Sequence, residues 1–170
     1  MSEGSVTSGA FDDLLEANRT FAEGFGGAGD GKARAGLAVV TCMDARIDPL
    51  AVLGLEVGDA KVMRNPGGRV TDEVMQAIVL ATCLLGADRV VLVEHTRCAM
   101  ASSTEAQLQD RVGSAVGADA AWRPFGVVAD QEQALQEDAA AVRAHPLVPD
   151  TVTVGGFLYD VDSGRLRQLL

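Results

Sequence analysis

The chain has 170 residues, enough for one domain with a short appendage, and at that length a single core buries roughly 70% of the surface an unfolded chain exposes. A hydrophobic content of 48% supplies that core, so neither disulfides nor a metal are needed merely to fold. With 14 basic against 24 acidic residues the net charge is -10, which excludes partners held through a phosphate backbone or an anionic membrane surface. The longest apolar stretch, residues 77–87, is too short for a bilayer span, and the first ten residues lack the features of a targeting signal. A cytoplasmic protein binding neither nucleic acid nor membrane is therefore expected. Three cysteines, an odd and small number, do not make a secreted disulfide framework, so Cys42, Cys83 and Cys98 each need another reason.

Residues 1–9 are small and polar and are expected to form a disordered tail. Ser8 is placed to cap a helix carrying Phe11, Leu14, Leu15, Asn18, Phe21 and Phe25. Six glycines in residues 24–36 read as a linker, so residues 10–36 form a helical arm that packs on its own body or on a second subunit. Residues 37–170 are expected to be a single domain. In it, 37–42 is a continuously apolar strand of the kind covered on both faces, 60–63 is a second strand, and 71–85 is a helix capped by Thr71 and stopped by Gly86. Strand 89–94, helix 131–144 and strand 151–159 follow, and the last residues turn back at Asp162, Ser163 and Gly164 to add an antiparallel edge strand. The alternation predicts an α/β fold with a mainly parallel central sheet flanked by helices.

Ligands of parallel sheets gather at the carboxyl ends of the strands, and two of those ends carry metal-ligand chemistry. One strand ends at Cys42, followed by Asp44 and Arg46; another reaches Glu94 and His95, followed by Thr96, Arg97 and Cys98. Two thiolates and an imidazole suit Zn(II), and three protein ligands leave a fourth position open, as in catalytic rather than structural sites. Asp44 has two roles open to it: closing the metal as a ligand, or accepting a hydrogen bond from metal-bound water while Arg46 holds it. The plain alternative for that pair is a solvated loop ion pair contributing about 0 to 1 kcal/mol. Cys83, inside a predicted helix among apolar neighbours, reads as a core thiol, and His145 before Pro146 reads as a helix-end residue. Asp48 before Pro49 reads as the start of a short helix, and residues 64–68 as a turn whose two glycines permit close backbone approach.

The motifs Cys42-Met43-Asp44-Ala45-Arg46, Arg64-Asn65-Pro66-Gly67-Gly68, His95-Thr96-Arg97-Cys98 and Gly155-Gly156-Phe157-Leu158-Tyr159-Asp160 resemble, in order, the β-class carbonic anhydrases. The short length resembles their bacterial branch, which is also similar to enzymes hydrolysing carbonyl sulfide or carbon disulfide. The resemblance implies one Zn(II) per chain on Cys42, His95 and Cys98, with Asp44 and Arg46 orienting zinc-bound hydroxide and Asp44 ligating only in a closed state. It further implies substrate contacts at Asn65, Gly67, Gly68 and Ala99, and a homodimer with the arm reaching over the partner, a tetramer of dimers being a further option within the family. The implied activity is reversible hydration of carbon dioxide to bicarbonate. The alternatives are attack on carbonyl sulfide, carbon disulfide or another small electrophile at the same site, and a non-catalytic bicarbonate-binding relative. Three positions depart from the family pattern: Ala99 replaces a common glycine, Arg97 a common aspartate and Pro66 a common alanine. Ala99 adds a methyl where a small substrate meets the backbone, Arg97 brings a positive charge towards the cleft, and Pro66 stiffens its turn.

Overall fold

The computed structural model describes residues 9–27 and 29–170. Ser8 and all of the expected tail except Gly9 lie outside the described residues. The chain divides between Asp30 and Gly31 into an arm and a body. In the arm, helix α1 spans Asp12–Glu23, with Asp12 and Asp13 in its first turn, where their charge complements the helix dipole. None of its residues is buried, and Phe11, Leu14, Leu15, Phe21 and Phe25 are all more than half exposed.

The body follows the predicted alternation: β1 (Leu37–Cys42), α2 (Pro49–Leu53), β2 (Ala60–Asn65), a 3-10 turn (Pro66–Gly68), α3 (Asp72–Leu84), β3 (Arg89–His95), α4 (Glu105–Val116), α5 (Gln131–Ala144), β4 (Thr153–Tyr159) and β5 (Leu166–Gln168). The sheet order is β2-β1-β3-β4-β5, with parallel pairing except for the antiparallel β5. Leu37 lies opposite both Ala60 and Arg89, so β1 and its two neighbours start level and bring their carboxyl ends to one edge. Residues 31–36, part of the expected linker, run along the body, where the N–H groups of Ala33 and Ala35 donate to the carbonyls of Leu85 and Asp59.

The sheet is covered on both faces, which is why its inner strands β1 and β3 are buried and mostly apolar, whereas the edge strands β2 and β5 carry charged residues. Ala38, Val40, Val90, Leu92 and Val154 pack against Val74, Ile78 and Ala81 of α3 and Leu135, Ala139 and Val142 of α5. Val39, Val91 and Val93 face the other way, into a second cluster with Ile47, Met100, Val128, Cys42 and Cys98. Local signals act as read: Thr71 Oγ1 accepts from Val74 N, and Asp48 Oδ1 from Leu50 N and Ala51 N. Among the described residues no helix is long and apolar enough to cross a membrane.

Two features differ from expectation. Helix α4 was not foreseen; it fully buries no residue, its Leu108, Val112 and Val116 recur at helical spacing with Leu108 packed against the second cluster, and Thr104 and Gln107 form a capping box at its start. Cys83 is exposed rather than core. Helix α3 buries Val74, Ile78 and Ala81, and a residue two places beyond Ala81 points to the opposite side, where Cys83 Sγ donates to the Leu147 carbonyl.

Candidate metal centre

Pairing of β1 with β3 places Cys42 beside the end of the strand that carries His95, and Cys98 returns three residues later through a tight turn. The three donor atoms lie within 4.8 Å of one another, and all three residues are buried. His95 Nδ1 stands 2.9 Å from the Thr96 carbonyl, which can only accept, so Nδ1 carries the proton and Nε2 presents a lone pair. Nε2 is the one buried side-chain N or O atom among the described residues without a hydrogen-bond partner. An orphaned lone pair facing two thiols is expensive unless something electrophilic belongs there, so the residues fit a metal ion.

The electrostatics agree. The hydrogen bond from Cys98 lowers the Cys42 pKa against the opposing effect of burial, with help from His95 and the backbone N–H groups of Asp44 and Gly67. The Cys42 thiolate and burial together push Cys98 up. The pair thus loses its first proton readily and holds its second. Burial works against a charged His95, but the neighbouring Cys42 thiolate, the Thr96 carbonyl and the Asp44 charge outweigh it, so its pKa is raised. A cation bound among these groups supplies the charge that now comes from protons, which makes binding proton-releasing.

Asp44 and Arg46 form a fork-on-fork pair, Nε to Oδ1 at 2.9 Å and Nη2 to Oδ2 at 2.7 Å, with Arg46 N also donating to Oδ1. The segment is pinned further. Arg46 Nη2 donates to the Arg97 carbonyl, and Arg64 donates to the carbonyls of Cys42 and Asp44. Asp44 Oδ2 lies 3.9 Å from His95 Nε2. The Arg46 hydrogen bond holds the Asp44 carboxyl well below the usual carboxylate range. Asp44 is therefore an oriented, acceptor-only group beside the three donors, and not merely a solvated loop charge.

The other expected site residues lie around this centre. Gly67 and Gly68 are buried with φ 80° and 69°, and a Cβ on Gly68 would stand 3.0 Å from Cys42 N, so the turn rests directly on the Cys42 backbone. Asn65 braces that turn: its Nδ2 donates to the Arg69 carbonyl and its Oδ1 accepts from Arg69 N. Ala99 is exposed next to Cys98, whose thiol is faced by the backbone N–H groups of Met100 and Ala101. Arg97 has φ 57°, rare for a residue with a Cβ, and its guanidinium pairs with Asp162 in the turn between β4 and β5. Its charge is thereby matched by a carboxylate.

A polar group outside the expected set stands out behind the metal ligands. Glu94 is 2% exposed and points to the α3/α5 side of the sheet, where Val90 and Leu92 before it are apolar. Gln131 Nε2 donates to Glu94 Oε2 (3.0 Å) and to the His95 carbonyl (2.9 Å). Nearby, Arg69 grips Asp138 with two hydrogen bonds, and Asp138 Oδ2 also accepts from Val70 N. The signal available in the sequence was a lone acid at the end of an apolar strand. Burial pushes Glu94 up to about 7 from its usual 4.5. The folded state therefore keeps this proton longer than the unfolded chain, and stability falls as pH rises from 4.5 through 7. Glu94→Gln retains an acceptor for Gln131 and removes the charge. At pH 8 the metal-free variant is expected to exceed the metal-free parent by up to about 3 kcal/mol, with the advantage gone below about pH 4.5, in urea unfolding.

Comparison with known proteins gives a consistent picture. The profile of a family described as carbonic anhydrase matches residues 37–166. Beta-carbonic anhydrase 1 of Mycobacterium tuberculosis is 31% identical over 158 residues, covering 93% of this chain and 96% of the relative. A carbon disulfide hydrolase of Acidianus sp. is 32% identical over 157 residues, covering 78% and 76%. The crystal structure of a carbonic anhydrase from Streptococcus mutans superposes with a TM-score of 0.84 at 35% identity, covering 94% of this chain and 97% of that one. With its donor cluster and its fold both accounted for, the chain belongs to the β-carbonic anhydrase family.

Proposed function

We propose that the protein catalyses reversible hydration of carbon dioxide to bicarbonate with one Zn(II) per chain held by Cys42, His95 and Cys98. The observation that carries this reading is the unpartnered His95 Nε2 facing two buried thiols, with the Asp44 carboxylate 3.9 Å away. Two thiolates and an imidazole are a donor set Zn(II) takes, and three protein ligands leave a position for chemistry. When bound, Zn(II) supplies the nucleophile by bringing the pKa of a coordinated water near neutrality, an effect for which carbonic anhydrase is itself the standard example.

The chain's own residues do the rest. Asp44, kept ionised by Arg46, only accepts hydrogen bonds, so a water or hydroxide beside it must turn a proton towards Oδ2 and its lone pair towards the electrophile. Arg46, tied to the Arg97 carbonyl, fixes the direction of that carboxylate. Swung towards the metal, the same carboxylate would close the fourth position, which makes the Asp44–Arg46 pair a gate as well as a guide. The Gly67–Gly68 backbone and Ala99 form the small-molecule side of the pocket. We further propose a cytoplasmic homodimer, with assembly into a tetramer of dimers, in which the exposed apolar positions of α1 are covered by the partner chain; they are uncovered in the single chain.

A second reading keeps the site and changes the electrophile to carbonyl sulfide or carbon disulfide. It is favoured by the carbon disulfide hydrolase relatives and by the methyl group of Ala99. Turnover of the three compounds by one zinc-loaded preparation separates the two. The first reading predicts fast hydration of carbon dioxide with the sulfur compounds slower; turnover of a sulfur compound alone would sink it, and Ala99→Gly would then be expected to restore carbon dioxide hydration.

A further inference from the structure

Helix α5 begins at Gln131, and side chains in the first turn of a helix lean back towards its N-terminus. That direction brings the Gln131 amide to the carboxyl end of β3, on the face of the sheet opposite the metal ligands. Asp130 caps the helix through Gln133 N, which fixes where the first turn starts. Ala134, Leu135, Asp138, Ala139 and Val142 anchor the rest of α5 by burial, and the Arg69–Asp138 pair ties it to the chain just after the Gly67–Gly68 turn. The two hydrogens of one Gln131 nitrogen are divided between the Glu94 carboxylate and the His95 carbonyl. The His95 backbone is thus held from behind by a rigid helix, while its ring is held in front by the Thr96 carbonyl.

We propose that Gln131 is a positioning residue for the metal centre: its amide clamps the end of β3 so that His95 Nε2 meets the thiols of Cys42 and Cys98 in a fixed geometry. This rests on the reading of those three residues as the metal site. Groups that orient metal ligands typically change affinity by about 10- to 100-fold when removed. Because Gln131 acts through the backbone and not on the imidazole itself, the lower end of that range applies.

The test uses Zn(II) and Co(II) on the full chain. Gln131→Met and Gln131→Leu keep the bulk and remove both donors. Each is expected to bind Zn(II) about 10-fold more weakly in competition with a chromophoric chelator, and to shift the visible absorption bands of the Co(II)-loaded protein. Ala140→Gly loosens the same helix at a solvent-exposed position, away from the buried clusters, and it is expected to lower the unfolding midpoint while leaving affinity and spectrum as in the parent. Parental Zn(II) affinity and Co(II) bands in both Gln131 variants would overturn the proposal. So would an equal loss of affinity in Ala140→Gly, since helix stability alone would then explain it. A parent chain that binds no Zn(II) would instead remove the metal-site reading on which the proposal stands.

Discussion

His95→Ala is expected to lose its zinc on dialysis and to hydrate carbon dioxide about a thousandfold more slowly than the parent, or worse. The imidazole is one of three donors drawn from two strand ends, and Asp44 Oδ2, 3.9 Å from His95 Nε2, is held by Arg46. Two thiols remain, and they resist losing both protons when no cation stands between them, because the thiolate of one raises the pKa of the other. A thousandfold corresponds to about 4 kcal/mol of lost transition-state stabilisation, a modest demand for removing the source of the nucleophile. Metal content and stopped-flow rate on the same sample check this, with Cys83→Ser as a comparison expected to keep both, since Cys83 lies exposed on α3. Full zinc occupancy in His95→Ala would remove His95 from the ligand set.

Asp44→Asn is expected to keep its zinc yet turn over about 100-fold more slowly, as when one oriented electrostatic group is taken from an active site. The amide offers Arg46 a poorer partner and faces the nucleophile with a donor as readily as an acceptor, so the lone pair is no longer aimed at carbon. Arg46→Lys keeps the charge but not the fork, and a loss of about 10-fold is expected. Because Arg46 holds the Asp44 carboxyl below the usual range, Asp44 stays ionised throughout pH 6.5 to 9. The Asp44→Asn pH profile should therefore keep the parental shape at reduced height. An Asp44→Asn enzyme as fast as the parent would mean that the pair is an ordinary loop salt bridge.

The inner strands were legible because a sheet covered on both faces needs buried, mostly apolar runs, and 37–42 supplies one in which only Thr41 is polar. The three ligands were legible for a related reason: thiols and an imidazole are conspicuous at strand ends, where the register then brings them together. Helix α4 was passed over because its stripe is thin: Leu108, Val112 and Val116 recur at helical spacing behind the capping box, but among Gln107, Gln109, Asp110 and Arg111 they leave no residue fully buried. Cys83 was misplaced because its neighbours in sequence are apolar on both sides of the helix, Leu84 outward and Ala81 inward. The links from Gln131 to His95 and from Arg64 to the Cys42 loop span 36 and 22 residues, and no local spacing reports a contact of that kind. Arg97 could not be read as a left-handed residue, since its side chain gives no hint of the φ that the ligand turn imposes.

If three buried donors and an oriented carboxylate make a zinc-dependent hydratase, as proposed, zinc and turnover must come and go together. The most direct measurement is stopped-flow carbon dioxide hydration from about pH 6.5 to 9, a range bracketing ionisation of a zinc-coordinated water, with zinc assayed on the same sample before chelation, after chelation and after re-addition. Turnover is expected to rise with pH, to disappear when zinc is removed and to return with one zinc per chain. Stoichiometric zinc without hydration at any pH in that range would contradict it.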